Sequence, residues 1–163
     1  MTISELLLPE FDEEVKKTRM FLERVPMNLA DWKPHEKSMT LGRLAGHVAE
    51  LPAWASDILE RDSLDIKAGY KGFQATYAEE LLSHFDAKAA AAREAIARAS
   101  DEHFQKTWTF SFGGHTVFSR PRYKVLRDMM MDHLIHHRGQ MSVYLRLMEI
   151  PVPGTYGPSA DEK

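Results

Sequence analysis

Apolar side chains recur every three or four residues along four long segments, and this period restricts the fold more than any other feature. Such a period places the apolar residues on one side of a helix. Long helices of this kind bury their apolar sides against one another. The sequence therefore predicts an all-α fold, a four-helix bundle with long connections, as a single domain over residues 1–163. The predicted helices run from Ile3 to Val25, from about Ser38 to Arg61, from Thr76 to Ala99 and from Arg120 to Ile150.

Two of these segments open with the residues of a capping box. In such a box a Ser or Thr side chain accepts the backbone N–H three residues on, and an acid at that position reaches back to the first residue. Thr2 with Glu5 predicts this arrangement at the first helix, and Thr76 with Glu79 predicts it at the third.

Proline and glycine mark the interruptions of the helical pattern. Pro9 indicates that the first helix either kinks there or begins near it, and Pro52 predicts a kink in the second helix. Pro121 falls in the first turn of the last predicted helix, where proline is tolerated. Before that helix, aromatic and β-branched residues flank Gly113 and Gly114, which predicts a short β-hairpin that caps one end of the bundle.

The charged residues argue against several classes of partner. The 21 basic and 24 acidic residues are interspersed and give a net charge of −3, so no basic surface for nucleic acid is expected. No apolar run approaches the roughly 20 residues of a membrane span, and the first residues do not resemble a secretory signal. We therefore expect a cytoplasmic protein that binds neither nucleic acid nor membrane. Because the chain has no cysteine, any bound metal must use His, Asp, Glu or water.

Three histidines fall on or near the apolar sides of two predicted helices. His133 and His137 are in register with Met130 and Met141 in the last helix, and His47 lies close to the apolar side of the second. Burying an unpaired imidazole costs about 1–3 kcal/mol, so each ring needs a partner. One interpretation is three core histidines bonded to backbone carbonyls. The other is a metal site, since imidazoles four residues apart can share one ion with a third from a facing helix.

A set of three imidazoles would leave coordination positions for water or substrate. Catalytic zinc sites keep such a position open, whereas structural sites are closed by four protein ligands. Zinc or nickel suits an all-imidazole set, and iron(II) also binds such sites. Four other histidines are expected to be solvated, and His136 adjoins the predicted site in sequence without a clear assignment. The four are His35, His84, His103 and His115.

Three stretches of the sequence resemble the DinB/YfiT-like superfamily, and the resemblance extends over the whole chain. They are HEKSMTLGRLAGHVAELPAW, DHLIHHRGQMSVYLR and PVPGTYGPSADE. The resemblance implies a four-helix bundle with a divalent metal held by three histidines, at positions His47, His133 and His137 of this chain. It also implies a thiol-dependent S-transferase or isomerase that uses bacillithiol, mycothiol or glutathione, and a homodimer.

The metal and the resemblance together favour a transferase that activates a low-molecular-weight thiol for attack on an electrophilic small molecule. Coordination favours the thiolate, and without cysteine the thiol must arrive as a cosubstrate. A metal-dependent hydrolase and a non-catalytic, stress-associated metal-binding bundle are the alternatives. A di-iron carboxylate site is excluded because no Glu-x-x-His motif occurs in the chain.

Two further residues are candidates for roles at the site. Glu50, three residues after His47, would orient that ligand or accept a proton, unless it is a solvated carboxylate. Arg138 would hold an anionic substrate group, unless it pairs with a neighbouring acid and stabilises the bundle. Four large aromatic residues are expected to line the core or a pocket: Trp32, Trp54, Trp108 and Tyr144.

Overall fold

Helices make up most of residues 1–162, the range that the computed structural model describes. Helix α1 packs against α4 and α7, and α2 packs against the same two helices, so these four face one another across the core. The elements in chain order are α1 (Ile3–Leu22), a 3₁₀ turn (Met27–Leu29), α2 (Leu41–Glu50), α3 (Ala53–Glu60), β1 (Ser63–Ile66), α4 (Ala78–Arg98), α5 (Asp101–Gln105), β2 (Thr107–Phe112), β3 (His115–Pro121), α6 (Arg122–Leu126), a π-helical segment (Arg127–Asp132) and α7 (His133–Leu147).

The prediction of an all-α four-helix bundle is confirmed only in part. The second predicted helix is two helices, α2 and α3, separated at Leu51 and Pro52. Pro52 has no N–H to continue the helical hydrogen bonds, so it ends one helix rather than only bending it. The short helix α5 was not predicted, and the β-structure is larger than a hairpin.

A three-stranded sheet in the order β1-β2-β3 covers one side of α3. The predicted hairpin is confirmed: β2 and β3 are antiparallel, and Gly113 and Gly114 have the positive φ angles of 57° and 81° that the tight turn requires. Strand β1 pairs with β2 in parallel and was predicted to be a connection. Its four residues alternate between polar and apolar, but so short a segment does not predict a strand by itself, and its pairing depends on β2.

Helix α1 begins as predicted and is not interrupted. The Thr2 side chain accepts the N–H of Glu5 at 3.1 Å, and the Glu5 carboxylate accepts the N–H of Thr2 at 2.7 Å. Helix α1 continues through Pro9, so this residue does not mark the start of the helix. Because Pro9 is exposed, water can reach the backbone carbonyl that its missing N–H leaves free.

The capping box predicted at the third helix is wrong by one position. Helix α4 begins at Ala78, and its cap residue is Tyr77, whose side chain accepts no hydrogen bond from the helix. The acid that reaches back is Glu80, which accepts the N–H of Thr76 at 2.6 Å, and not Glu79.

The last predicted helix starts later than expected and contains an irregular segment. Pro121 belongs to β3, so the helical rod begins at Arg122, and it ends at Leu147. The π-helical segment Arg127–Asp132 lies immediately before His133. π-helical turns are rare inside helices and occur frequently at functional sites.

A buried ion pair connects the first and last helices. Nη2 of Arg138 in α7 lies 2.6 Å from Oε2 of Glu14 in α1, and the two side chains are only 3% and 5% exposed. The Tyr156 hydroxyl donates to the same carboxylate at 3.0 Å, and Arg138 donates to Thr18 at 3.3 Å. Burial alone raises the pKa of Glu14, but the hydrogen bond and charge of Arg138 outweigh it and hold the pKa below 4.5.

The Arg138→Met substitution is expected to lower the free energy of unfolding by about 3–5 kcal/mol, because it leaves a buried carboxylate without its cation. The Arg93→Met substitution is the control, since Arg93 pairs with Asp12 on the surface with 53% and 44% exposure. Its effect should be below about 1 kcal/mol. Urea unfolding of both variants measures the difference, and equal losses would contradict the importance of the buried pair.

The same pair has a pH dependence with a definite sign. Since the pKa of Glu14 is lowered on folding, its stabilisation is fully present above pH 4.5 and is lost as the pH falls through the lower folded value. The stability difference between wild type and Arg138→Met should therefore shrink below pH 4.5, which urea titrations at several pH values would show.

Candidate metal centre

The imidazoles of His47, His133 and His137 converge with their Nε2 atoms toward one point. Nε2 of His133 lies 3.3 Å from Nε2 of His47 and 2.8 Å from Nε2 of His137. The potential ligand atoms of the three residues all lie within 4.8 Å of one another. One ring comes from α2 and two from the first turns of α7, so the fold brings together the three histidines that the sequence singled out.

The opposite side of each ring faces an acceptor oxygen. Nδ1 of His137 lies 2.7 Å from the side-chain oxygen of Gln140, and Nδ1 of His47 lies 3.5 Å from the carboxylate of Glu50. The backbone carbonyl of Met129 accepts a hydrogen bond from His133. Ligand histidines in metal sites typically donate their second ring N–H to such acceptors, which fixes the tautomer. Protons held on that side leave lone pairs on the three Nε2 atoms.

Three lone pairs directed at one another are repulsive unless a cation lies between them or one ring carries its proton on Nε2 and donates a hydrogen bond. Two nitrogens about 2.0–2.1 Å from one zinc ion at a tetrahedral angle lie about 3.4 Å apart. The observed separation of 3.3 Å between His133 and His47 is close to that value, whereas the 2.8 Å between His133 and His137 is shorter. The donor set therefore fits a small divalent cation, and an imidazole-only set suits zinc, nickel or iron(II).

Burial keeps two of the rings neutral. It lowers the pKa of His137 to about 4, and the nearby His47 and His133 lower it further, while Gln140 opposes the change. Burial also lowers the pKa of His133, as does the charge of His47. Neutral imidazole is the form that binds a metal, so both rings are ready to coordinate at pH 7.

Glu50 connects His47 with the loop that follows β1. Its carboxylate accepts the N–H of Phe73 at 2.8 Å and the hydroxyl of Tyr70 at 3.2 Å, in addition to its contact with His47. Burial alone raises the pKa of Glu50, but the His47 and Phe73 hydrogen bonds and the charge of Arg43 outweigh it and lower the pKa. Glu50 is thus an occupied acceptor that positions its neighbours, rather than a solvated carboxylate.

A glycine permits this loop to lie so close to His47. A Cβ added to Gly46, next to His47, would overlap the carbonyl oxygen of Phe73. The loop backbone therefore packs directly on α2 at Gly46, where the helix carries no side chain to prevent it.

A cavity of about 880 Å³ lies beside His47. His47 and Glu50 form part of its wall, and Trp54, Leu64 and Ile66 supply apolar surface. Within residues 1–162, no fourth His, Asp or Glu joins the group of three histidines. The site thus combines an incomplete ligand set with space for small molecules.

The sequence over residues 1–163 matches the DinB family. The chain belongs to the DinB family. A DinB-like protein from Bacillus cereus ATCC 10987 has the same fold with a TM-score of 0.70, at 22% identity over 95% of this chain and 98% of that one. The DinB-like protein YjoA from Bacillus subtilis gives a TM-score of 0.68 at 16% identity, over 97% and 98% of the two chains. No curated protein matches the sequence significantly.

The other histidines of this DinB protein divide into two groups. His35, His115 and His136 are exposed. His103 and His84 are not simply solvated, contrary to expectation. Nε2 of His103 lies 2.7 Å from the carbonyl oxygen of Leu59. The His84 ring stacks on the ring of Phe73, in the loop after β1. Both contacts join separate segments of the chain, so no local sequence pattern predicts them.

The remaining candidates of the DinB chain have clear positions. Arg138 forms an ion pair with Glu14, which agrees with the alternative that this arginine pairs with a neighbouring acid and stabilises the bundle. Trp108 is fully buried, Tyr144 is nearly so, and Trp54 lines the cavity. Within residues 1–162, no helix has both the length and the apolar character needed to cross a membrane.

Replacing His133 or His137 with Ala should abolish stoichiometric zinc binding by this DinB protein, because two imidazoles cannot hold the ion as three do. The His115→Ala variant is the control, since its ring is exposed in the hairpin. Metal analysis after gel filtration measures the zinc content, and far-UV circular dichroism should show that helicity is retained. Equal zinc content in wild type and in the His133/His137 double variant would refute the site.

Replacing Gln140 with Leu should weaken zinc binding by about tenfold without changing its stoichiometry, because the His137 ring loses the acceptor that orients it. Gln105→Leu, at an exposed position outside the site, serves as the matched control. Competition with a zinc chelator of known affinity measures both variants. An unchanged affinity for Gln140→Leu would show that the 2.7 Å contact does not support the ligand.

Proposed function

We propose that this DinB protein is a metal-dependent transferase that activates a low-molecular-weight thiol for attack on an electrophilic small molecule. The observation that carries the proposal is the convergence of three imidazole Nε2 atoms, with the ring of His47 also forming part of the wall of a large cavity. Pockets for small molecules commonly measure about 300–1,000 Å³, and this cavity of about 880 Å³ lies within that range.

His47, His133 and His137 would hold the ion, with zinc or nickel as the first candidates and iron(II) as a third. A divalent ion in such a set lowers the pKa of a thiol that binds to it and so supplies a thiolate at neutral pH. Because all three protein ligands are neutral imidazoles, no protein anion in the set competes with a thiolate for the ion's charge.

The neighbouring residues have defined tasks in this proposal. Glu50 and Gln140 fix the orientation of His47 and His137. Trp54 and Leu64 offer apolar surface to the carbon skeleton of the electrophile and exclude water from it. The chain has no cysteine, so the thiol is a cosubstrate. Epoxides, alkyl halides and unsaturated acids are electrophiles of the appropriate class.

The geometry favours this transferase over the two alternatives. A purely structural metal site would be closed by a fourth protein ligand, and the group within residues 1–162 contains three. A hydrolase needs a proton acceptor for the attacking water, whereas the nearest carboxylate, Glu50, already accepts hydrogen bonds from Phe73 and Tyr70. Homodimer formation and a role in stress responses, which the resemblance suggests, stay predictions.

The proposal predicts a product that requires both metal and thiol. Protein loaded with zinc, nickel or iron(II) is incubated with glutathione, bacillithiol or mycothiol and with an epoxide, an alkyl halide or an unsaturated acid. Mass spectrometry detects the thioether or the isomer, and the His137→Ala variant is the metal-free control. Product without thiol would favour the hydrolase, and no product in any combination would favour the non-catalytic alternative.

A further inference from the structure

We propose that the cavity beside His47 binds a carboxylate group of the substrate, with Arg43 and His84 as its hydrogen-bond donors and Lys88 as an additional positive charge. This inference deepens the proposed function and rests on it for its catalytic meaning. The binding itself can be measured without turnover.

Two polar atoms of residues that line the cavity lack a hydrogen-bond partner in the protein. Nη1 of Arg43 and Nε2 of His84 are both buried, and neither forms a hydrogen bond with residues 1–162. Both residues line the cavity. A buried donor without an acceptor costs about 1–3 kcal/mol, so two such atoms at one cavity indicate that a ligand supplies the acceptor.

The position of His84 is fixed by stacking. Its ring lies parallel to that of Phe73, at 6° and with 3.7 Å between the centroids. Burial lowers the pKa of His84, as does the charge of Lys88, so the ring is neutral at pH 7 and its Nε2 can carry a proton to donate. Helix α4 and the loop after β1 thus hold this donor without help from a ligand.

The charges of the cavity wall favour a single negative group. Its acids are already engaged: Asp57 pairs with Arg61 at 3.1 Å, and Asp65 accepts the N–H of Gly114 at 3.1 Å. The third acid, Glu50, accepts hydrogen bonds from the loop and lies 3.7 Å from Nη1 of Arg43, too far for a hydrogen bond.

The basic groups of the wall are in slight excess. They are Arg43, Arg61, Lys67 and Lys88, against the three acids Glu50, Asp57 and Asp65. An excess of one positive charge matches a single carboxylate group, and the second carboxylate of a dicarboxylate can remain in solvent. The apolar surface of Trp54 and Leu64 in the same wall suits the hydrocarbon part of an organic acid.

The test compares succinate with succinamide, its neutral isostere, on zinc-loaded protein. Isothermal titration calorimetry measures affinity, and ¹⁵N–¹H spectra locate the binding site. We expect succinate to bind at least about tenfold more tightly than succinamide. The Arg43→Met and His84→Phe substitutions should each lower the affinity for succinate by about tenfold or more. His84→Phe keeps the stacking on Phe73 and removes only the donor. Arg93→Met and His35→Phe are the surface controls, and should leave the affinity unchanged.

Several results would overturn the inference. These are no detectable succinate binding, equal affinity for succinamide, tighter binding of inorganic phosphate, or succinate affinity that is unchanged in both Arg43→Met and His84→Phe. Dispersed spectra of the two variants confirm that they fold. A thiol-dependent product together with unaffected succinate binding in both variants would overturn this inference alone. Normal succinate binding without any product would instead overturn the transferase proposal.

Discussion

The close approach of three imidazole nitrogens is the constraint on which the site depends. Nε2 of His133 lies 3.3 and 2.8 Å from its two counterparts, and such lone pairs repel one another without a cation or a proton between them. Holding them there requires that each ring be fixed from behind, by Glu50, Met129 or Gln140. It also requires that α2 and α7 keep their relative positions, because the ligands come from both helices. The rigidity of the surrounding fold thus holds together three imidazole rings that would otherwise move apart.

The buried pair of Glu14 and Arg138 contributes to that rigidity. Arg138 follows His137 directly in α7, and its guanidinium is bound to α1 through Glu14 and Thr18. Because successive helical residues point in directions about 100° apart, fixing Arg138 against α1 also fixes the direction in which His137 points. The ion pair therefore stabilises the bundle and sets the rotation of the helix that carries two of the three candidate ligands.

Sequence periodicity predicted the helices and the residues that cluster, and it failed where structure depends on distant partners. His47, His133 and His137 could be singled out because each lies in register with apolar neighbours on its own helix. Strand β1 could not be predicted in this way, since its four residues gain their hydrogen bonds from β2. The donor role proposed for His84 arises from its stacking on Phe73, a contact between separate segments. The π-helical segment before His133 leaves no signal in its sequence of three methionines between two aspartates.

The carboxylate of Glu50 has a consequence beyond orienting one ring. One of its oxygens faces His47, and the other holds the loop through Phe73 and Tyr70. If a cation binds at His47, its occupancy and the position of this loop would be thermodynamically linked, and such linkage is reciprocal. A ligand that secures the loop would raise the affinity for the cation, and the cation would raise the affinity for that ligand by the same factor.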